Sequence, residues 1–220
     1  MEQDSFLLEF VDMYEHPAYV DEVGLGAAFG DLVACAVIIP KNFNTSLVDD
    51  SKKLKHSLIY KLAPVLKQYV TCWSIGVVTI EELKKLRNMY QGDQLAMKRA
   101  LRGLKIKPDA VFADGKHALD VDIPCHPVIK GDGRLAGCAA ASIIAKEFRD
   151  KNVVRRFGKE FEKYEISKNK GYFSPAHKMA VRKFGITEFH RDWMPQVQDV
   201  VSGRYDRVIK KKYAKQWAGV

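Results

Sequence analysis

The alternation of apolar and polar residues predicts a chain that begins with strands and then mixes strands with helices. Runs rich in β-branched residues predict five strands, at 18–23, 31–40, 69–78, 110–113 and 124–129. Two of these runs are expected to be neighbours in a hairpin. We therefore expect an α/β fold built on a sheet of mixed strand direction.

Two longer helices are predicted between and after these strands. Thr79 followed by Glu82 has the spacing of a capping box, which predicts a helix from that point to Arg102. Apolar residues at helical spacing, separated by small alanines, predict another helix over about 133–157. The alanine-rich face of this second helix is suited to close packing against a sheet.

The last third of the chain has a helical and basic pattern. Ser174 followed by Pro175 is typical of a helix start, and the pattern that follows ends at Phe184. The segment 188–216 is predicted to be irregular and then helical. We therefore expect a core domain at 1–151 and a C-terminal helical extension at 152–220.

Composition indicates a globular protein rather than a disordered or membrane-spanning one. Of the 220 residues, 47% are hydrophobic and 29% are charged. The longest apolar stretches, 32–40 and 135–145, are shorter than the roughly 18 residues that a membrane span needs. No secretory signal is recognisable, so we expect a cytoplasmic protein. The four cysteines form no C-x-x-C pair, which favours buried free thiols over zinc or redox chemistry.

Charge is distributed unevenly along the chain. The net charge is +9, yet the first 40 residues hold eight acidic and no basic side chains. All 36 basic residues therefore lie in the other 180, against 19 acidic ones. A basic body suits a polyanionic partner such as nucleic acid, although lysine-rich faces also serve solubility alone. The basic segment 203–217 is either a clamp for a duplex or a solvated tail helix.

The first candidate for chemistry is an adjacent pair of acids. Asp21 and Glu22 end an apolar strand and are followed by Gly24 and Gly26. Burial and mutual repulsion raise the pKa values of such a pair unless a cation neutralises them, which favours a divalent metal. The alternative is that one of the two faces solvent, because neighbouring strand residues point to opposite faces.

Two further acids repeat this pattern. Asp114 and Asp132 each follow an apolar strand and precede a glycine. Either one alone is commonly a turn former or a helix cap. Together with Asp21 and Glu22 they predict a carboxylate cluster at one edge of the sheet, suited to Mg²⁺ or Mn²⁺.

A series of short motifs runs in a characteristic order over residues 18–197. They are Asp-Glu-Val-Gly-Leu-Gly at 21–26, Asp-Ser-Lys-Lys-Leu at 50–54, Trp-Ser-Ile-Gly at 73–76, Leu-Ala-Met-Lys-Arg-Ala at 95–100, Asp-Gly at 114–115, Lys-Gly-Asp at 130–132, Ala-Ala-Ala-Ser-Ile-Ile-Ala-Lys at 139–146, Arg-Asp at 149–150, Lys-Gly-Tyr at 170–172, His177 and His-Arg at 190–191. In this combination the chain resembles the type 2 ribonucleases H, the bacterial ribonuclease HII family.

The resemblance implies a ribonuclease H-like mixed five-stranded sheet flanked by helices, followed by a C-terminal helical extension. It also implies a monomeric, metal-dependent endoribonuclease that cuts the RNA strand of RNA/DNA hybrids, or DNA containing ribonucleotides, to 5′-phosphate and 3′-hydroxyl ends. The implied catalytic and metal-binding residues are Asp21, Glu22, Asp114 and Asp132, with Mg²⁺ or Mn²⁺ as cofactor in a two-metal mechanism.

The resemblance implies substrate-binding residues as well: Gly24, Leu25, Gly26, Ser51, Lys52 and Tyr172. Ser51 and Lys52 are suited to hold phosphate oxygens, which is the favoured interpretation, and a solvated helix start is the alternative. Tyr172 corresponds to the tyrosine that senses the sugar at a junction between RNA and DNA, or else is a packed loop residue. Leu25 stands where type 2 enzymes usually carry an arginine between the two glycines. Type 3 relatives, like this chain, lack that arginine. A weaker preference for a single embedded ribonucleotide is therefore expected.

Two alternatives use the same residues differently. A DNA nuclease or resolvase of the same fold class would use the same carboxylates on deoxyribose backbones, and a requirement for a 2′-hydroxyl separates it from a ribonuclease. A non-catalytic nucleic-acid-binding module would bind a duplex without cutting it.

Overall fold

The computed structural model describes residues 11–48 and 56–204, which form two compact units. Of the described residues, the first unit comprises 11–25, 32–48, 56–78 and 88–150. The second comprises 26–31, 79–87 and 151–204. Within the described ranges, no helix is long and apolar enough to cross a membrane. The domain division at residue 151 stays a prediction.

The first unit is built on a single five-stranded sheet. Its strands are β1 (Pro17–Val23), β2 (Leu32–Ile38), β3 (Cys72–Val78), β4 (Ala110–Asp114) and β5 (Cys125–Val128), in the spatial order β3-β2-β1-β4-β5. The pairs β1/β2 and β2/β3 are antiparallel, whereas β1/β4 and β4/β5 are parallel. The predicted hairpin and the mixed sheet of the α/β class are confirmed.

The helices flank this sheet or belong to the second unit. In the described ranges they are α1 (His56–Tyr69), α2 (Ile80–Leu86), α3 (Met89–Arg102), α4 (Ala136–Phe157), α5 (Ile166–Asn169), α6 (Pro175–Phe184) and α7 (Pro195–Val201). The sequence did not predict α1, whose interior contains Pro64, a residue that ordinarily interrupts helices. The predicted third strand accordingly begins later, at Cys72, because Tyr69 still belongs to α1.

The helix predicted from the capping box is in fact two helices. Thr79 and Glu82 form the box as expected, but Arg87 adopts a left-handed conformation that ends α2. The side chain of Asn88 then accepts a hydrogen bond from Gln91 N and starts α3. The helix predicted from about residue 133 begins at Ala136, because residues 131–133 form a 3-10 turn.

Helices cover both faces of the sheet near β1. On one face α3 packs against β1, β2 and β3. On the other, α4 approaches so closely that a Cβ on Gly137 would overlap the ring of Tyr19. Because successive strand residues point to opposite faces, Asp21 lies on the α4 side and Glu22 on the α3 side.

The second unit is organised around the short extended segment 26–31. This segment forms isolated β-bridges from Ala27 to Tyr172 and from Phe29 to His190. The ring of Phe29 is buried in an apolar cluster formed by the C-terminal helices. Nearby, the buried carboxylate of Asp31 accepts a hydrogen bond from Ile80 N at the start of α2 and pairs with Arg156.

Candidate active site

Asp21 is the most deeply buried acid of the predicted cluster. Its side chain lies near the end of β1, and the residue is only 5% exposed. One carboxylate oxygen, Oδ1, accepts a hydrogen bond of 2.8 Å from the backbone of Glu22, and the side chain of Ser142 on α4 donates another. The sheet and α4 thus fix this carboxylate from two directions.

Asp114 and Asp132 reach the same end of the sheet through the parallel strands. In the β1/β4 register Val20 lies opposite Ala113, which brings Asp114 beside Asp21. Oδ1 of Asp114 accepts a 2.8 Å hydrogen bond from the backbone N–H of Gly131, at the start of the 3-10 turn after β5. Asp132, the next residue, is 7% exposed. The predicted convergence of these three acids is therefore present within the first unit.

The electrostatics show an excess of negative charge around Asp21 and Glu22. Burial raises the pKa of Asp21, and the charges of Asp114 and Asp132 raise it further, against a smaller lowering by the Ser142 hydrogen bond. Burial likewise raises the pKa of Glu22, with the charge of Asp21 as the next cause. Ionised carboxylates at Asp21 and Glu22 are therefore unfavourable until a cation neutralises them.

A fifth acid that sequence reasoning missed belongs to this cluster. Asp93 lies on α3, the helix on the Glu22 side of the sheet, and its charge contributes to the raised pKa of Glu22. Burial, followed by the charge of Asp114, raises the pKa of Asp93 itself to about 6. Its Oδ1 is buried and has no hydrogen-bond partner among the described residues. The usable signal was the neighbouring stripe of small residues, Gly92, Ala96 and Ala100, which marks the sheet-facing side of α3.

The residues present fit a divalent cation by their chemistry. Carboxylate oxygens are the ligands that Mg²⁺ and Mn²⁺ prefer, and the raised pKa values show buried carboxyl groups in need of positive charge. Within residues 11–48 and 56–204, no three His, Cys, Asp or Glu side chains already stand at the spacing of a closed metal site. Asp21, Glu22, Asp114 and Asp132 are the residues that could hold such an ion.

The loop after β1 is shaped by a buried arginine. Gly24 has a φ of +101°, and a Cβ there would overlap Nε of Arg149. Arg149 is fully buried on α4, and its guanidinium lies 3.7 Å from the carboxylate of Asp150. Leu25 follows Gly24 and is half-exposed. The glycine is therefore needed both for its backbone conformation and for the space that Arg149 occupies.

Of the remaining predicted substrate-binding residues, two lie in the second unit and two lie outside the described residues. Gly26 is exposed at the start of the second unit, and a Cβ there would contact nothing within 4 Å. Tyr172 is half-buried in the same unit, where its backbone pairs with Ala27. Ser51 and Lys52 lie outside the described residues, as does most of the basic segment 203–217.

Comparison with known proteins gives the family of the chain. The family model described as Ribonuclease HII matches residues 18–197. A ribonuclease HII from Parabacteroides distasonis is 38% identical over 186 residues, which cover 84% of this chain and 92% of that protein.

Solved structures agree on the fold. The ribonuclease H2 of Pyrococcus horikoshii OT3 matches with a TM-score of 0.71 and 23% identity, over 88% of this chain and all of that one. Bst-RNase HIII in complex with Mn²⁺ matches with a TM-score of 0.63 and 18% identity, over 87% and 71% of the two chains. At these identities the likeness shows the ribonuclease H-like fold alone. On the strength of the sequence matches, the chain belongs to the ribonuclease HII family and is a ribonuclease H.

Proposed function

We propose that this ribonuclease H cuts the RNA strand of RNA/DNA hybrids, and ribonucleotides embedded in DNA, through Asp21, Glu22, Asp114 and Asp132 with Mg²⁺ or Mn²⁺. The observation that carries the proposal is the convergence of Asp21, Asp114 and Asp132 from three adjacent parallel strands. The raised pKa of Asp21 supports it, because that carboxylate is poorly compensated by the protein itself.

The protein's own groups have separate tasks in this proposal. Asp21, Glu22, Asp114 and Asp132 would hold the divalent cation, which would supply activation of water and stabilisation of the departing 3′ oxygen. Ser142 and the Glu22 backbone orient the Asp21 carboxylate, and the Gly131 N–H orients that of Asp114. The chain need not supply a nucleophilic side chain, and hydrolysis leaves 5′-phosphate and 3′-hydroxyl ends.

Substrate selection in this proposal depends on groups other than the four carboxylates. Gly24, Leu25 and Gly26 offer backbone amides to a phosphate or a 2′-hydroxyl, and Tyr172 offers a ring and a hydroxyl to the sugar at a junction. Ser51 and Lys52 are proposed to hold phosphate oxygens. We further propose that the protein acts as a monomer and in the cytoplasm.

Product analysis tests the reaction. A duplex with one ribonucleotide is cut in Mg²⁺ or Mn²⁺, and the fragments are treated with a phosphatase or a 3′-end ligase. The proposal predicts a 5′-phosphate and a ligatable 3′-hydroxyl, with no cleavage when the 2′-hydroxyl is absent. A 2′,3′-cyclic phosphate, or equal cutting of all-DNA duplex, would contradict it.

A further inference from the structure

Two buried histidines of the second unit contact each other directly. The Nε2 atoms of His177, on α6, and His190 lie 3.1 Å apart, and both residues are fully buried. Neither residue belongs to the carboxylate cluster. Two imidazole nitrogens at this distance share one proton, so one ring donates and the other accepts.

The other hydrogen bonds of the two rings fix which ring donates. Nδ1 of His177 lies 3.0 Å from the carbonyl oxygen of Tyr172, which only accepts, so His177 carries its proton on Nδ1. Nδ1 of His190 accepts a hydrogen bond of 2.9 Å from the backbone N–H of Thr187, so His190 carries its own proton on Nε2. His190 therefore donates to His177, which donates to Tyr172.

The surroundings keep both rings neutral. Burial lowers the pKa of His177, and it lowers that of His190 to about 3, with the charges of His177 and Lys84 as further causes. The other neighbours are aromatic: the rings of Phe29 and Tyr164 pack edge-on against both histidines. A second proton on His177 would remove the acceptor of the bond from His190, and a second proton on His190 would remove the acceptor of the Thr187 N–H.

The histidine pair connects the two loops whose backbones contact segment 26–31. Ala28 N donates to the carbonyl of Gly171, and Ala28 O accepts from the backbone of Arg191. Gly30 O also accepts from the buried Arg191 guanidinium. The strand segment is thus tied to the loops that carry Tyr172 and His190, and the two rings tie those loops to each other.

We propose that His177 and His190 are positioning residues that hold the Tyr172 backbone so that its ring meets the sugar of the substrate. This inference rests on the proposed function, because it assigns the sugar contact to Tyr172. In this role the two imidazoles act through the protein backbone and not on the reacting phosphate. The rings act through the Nδ1–H of His177. This group fixes the orientation of the Tyr172 carbonyl and, through the backbone, the direction of the Tyr172 side chain.

A matched pair of variants separates this role from packing. In His177→Asn the side-chain N–H₂ replaces Nδ1–H and keeps the bond to Tyr172, whereas in His177→Gln the amide replaces Nε2 and keeps only the link to His190. We expect KM for a duplex with one ribonucleotide to rise about threefold to tenfold in His177→Gln, with kcat nearly unchanged. In His177→Asn we expect KM to stay within about twofold of the native value. Equal rises in both variants would overturn the proposal.

A second comparison asks whether the effect passes through Tyr172. In a Tyr172→Ala background, His177→Gln should change KM no further, because the group that it positions is gone. An undiminished effect would contradict the inference. If the native protein cuts no ribonucleotide-containing duplex, the proposed function has failed, and the same comparisons are made on the Kd of the uncut duplex in EDTA.

The tautomers themselves are measured without activity. A two-bond ¹H–¹⁵N spectrum of the full chain, which has six histidines, is assigned with His177→Asn and His190→Asn. We expect His177 protonated on Nδ1 alone and His190 on Nε2 alone throughout pH 6–8. The opposite tautomers, or an imidazolium signal from either ring, would overturn the proposed direction of the bonds.

Discussion

The guanidinium of Arg149 occupies the space that a side chain at Gly24 would need. Both residues lie in the first unit, and the left-handed φ of Gly24 adds a second reason against any other residue there. The turn that leaves the Asp21 strand is therefore set by a buried arginine on α4. Any change at Gly24 is expected to move either the turn or the arginine.

Gly24→Ala should destabilise the protein by about 1–3 kcal/mol, because it combines backbone strain with overlap against a fully buried side chain. Gly26→Ala is the matched control, since a Cβ there meets nothing within 4 Å and its φ is unstrained. Urea unfolding of the two variants measures the difference. Equal stabilities would show that the loop relaxes freely around Arg149.

Asp114→Asn and Asp132→Asn should each abolish metal-dependent cleavage while leaving folding and duplex binding largely intact. An amide cannot replace the anionic oxygens that a divalent cation requires. Asp122→Asn, at an exposed position of the same unit, is the charge-matched control and should cleave normally. Cleavage is assayed in Mg²⁺ and in Mn²⁺. Near-native turnover by either cluster variant would exclude the proposed set of ligands.

The metal-free protein should lose stability as pH rises, through the group at Asp21. Its folded-state pKa is raised, so above the unfolded pKa of about 4 the folded chain holds a proton that the unfolded chain has released. The free energy of unfolding that this proton contributes is complete below the unfolded pKa. Between the unfolded and the folded pKa it falls by about 1.4 kcal/mol per pH unit. Urea unfolding in EDTA at pH 5–8 measures the free energy of unfolding of the native protein and of Asp21→Asn. The difference between these two free energies should fall with this slope as pH rises.

The comparison with Asp21→Asn cancels the contribution of His177 and His190, which is the same in both proteins, and reports the Asp21 carboxyl group together with its effect on the pKa of Glu22. Asp122→Asn should retain the native slope. Parallel pH profiles for the native protein and Asp21→Asn would mean that Asp21 is ionised without a metal. Saturating Mg²⁺ should remove most of the difference, since the cation replaces the proton as the compensating charge.

Leu25 should weaken recognition of a lone ribonucleotide relative to a continuous hybrid. A leucine provides no donor, and a charge-assisted hydrogen bond is worth roughly 1.5–3 kcal/mol, about tenfold to a hundredfold in rate if it acts in the transition state. A continuous hybrid compensates through its other sugars. We expect Leu25→Arg to raise kcat/KM on the single-ribonucleotide duplex more than on the hybrid. A native preference for the lone ribonucleotide that arginine does not increase would refute this role of Leu25.

The sequence predicted most of the sheet and the acidic cluster because both depend on local patterns. β-branched runs specify the strands, and an acid followed by glycine at a strand end specifies Asp114 and Asp132. Asp93 escaped prediction because the small residues beside it mark only the sheet-facing side of α3, whereas its place in the cluster also depends on how α3 lies across the sheet. The break at Arg87 was missed because the apolar spacing continues through it.

The histidine pair was also beyond sequence reasoning in its detail. His177 and His190 are individually unremarkable, and the residue types alone favour packing over any specific role. Their opposed tautomers follow only from the partners at Tyr172 and Thr187, which the tertiary fold brings together. Local sequence therefore specifies which groups are present, and the fold specifies which atoms meet.

Cleavage of three end-labelled duplexes tests the central claim most directly. One contains a continuous RNA strand, one contains a single ribonucleotide and one is all DNA, each incubated with native protein and with Asp132→Asn in Mg²⁺ or Mn²⁺. We predict that native protein cuts the two ribonucleotide-containing duplexes, leaves the DNA intact and does nothing in EDTA, and that Asp132→Asn cuts none. Cutting of the all-DNA duplex, or binding of all three without cleavage in either metal, would contradict the account.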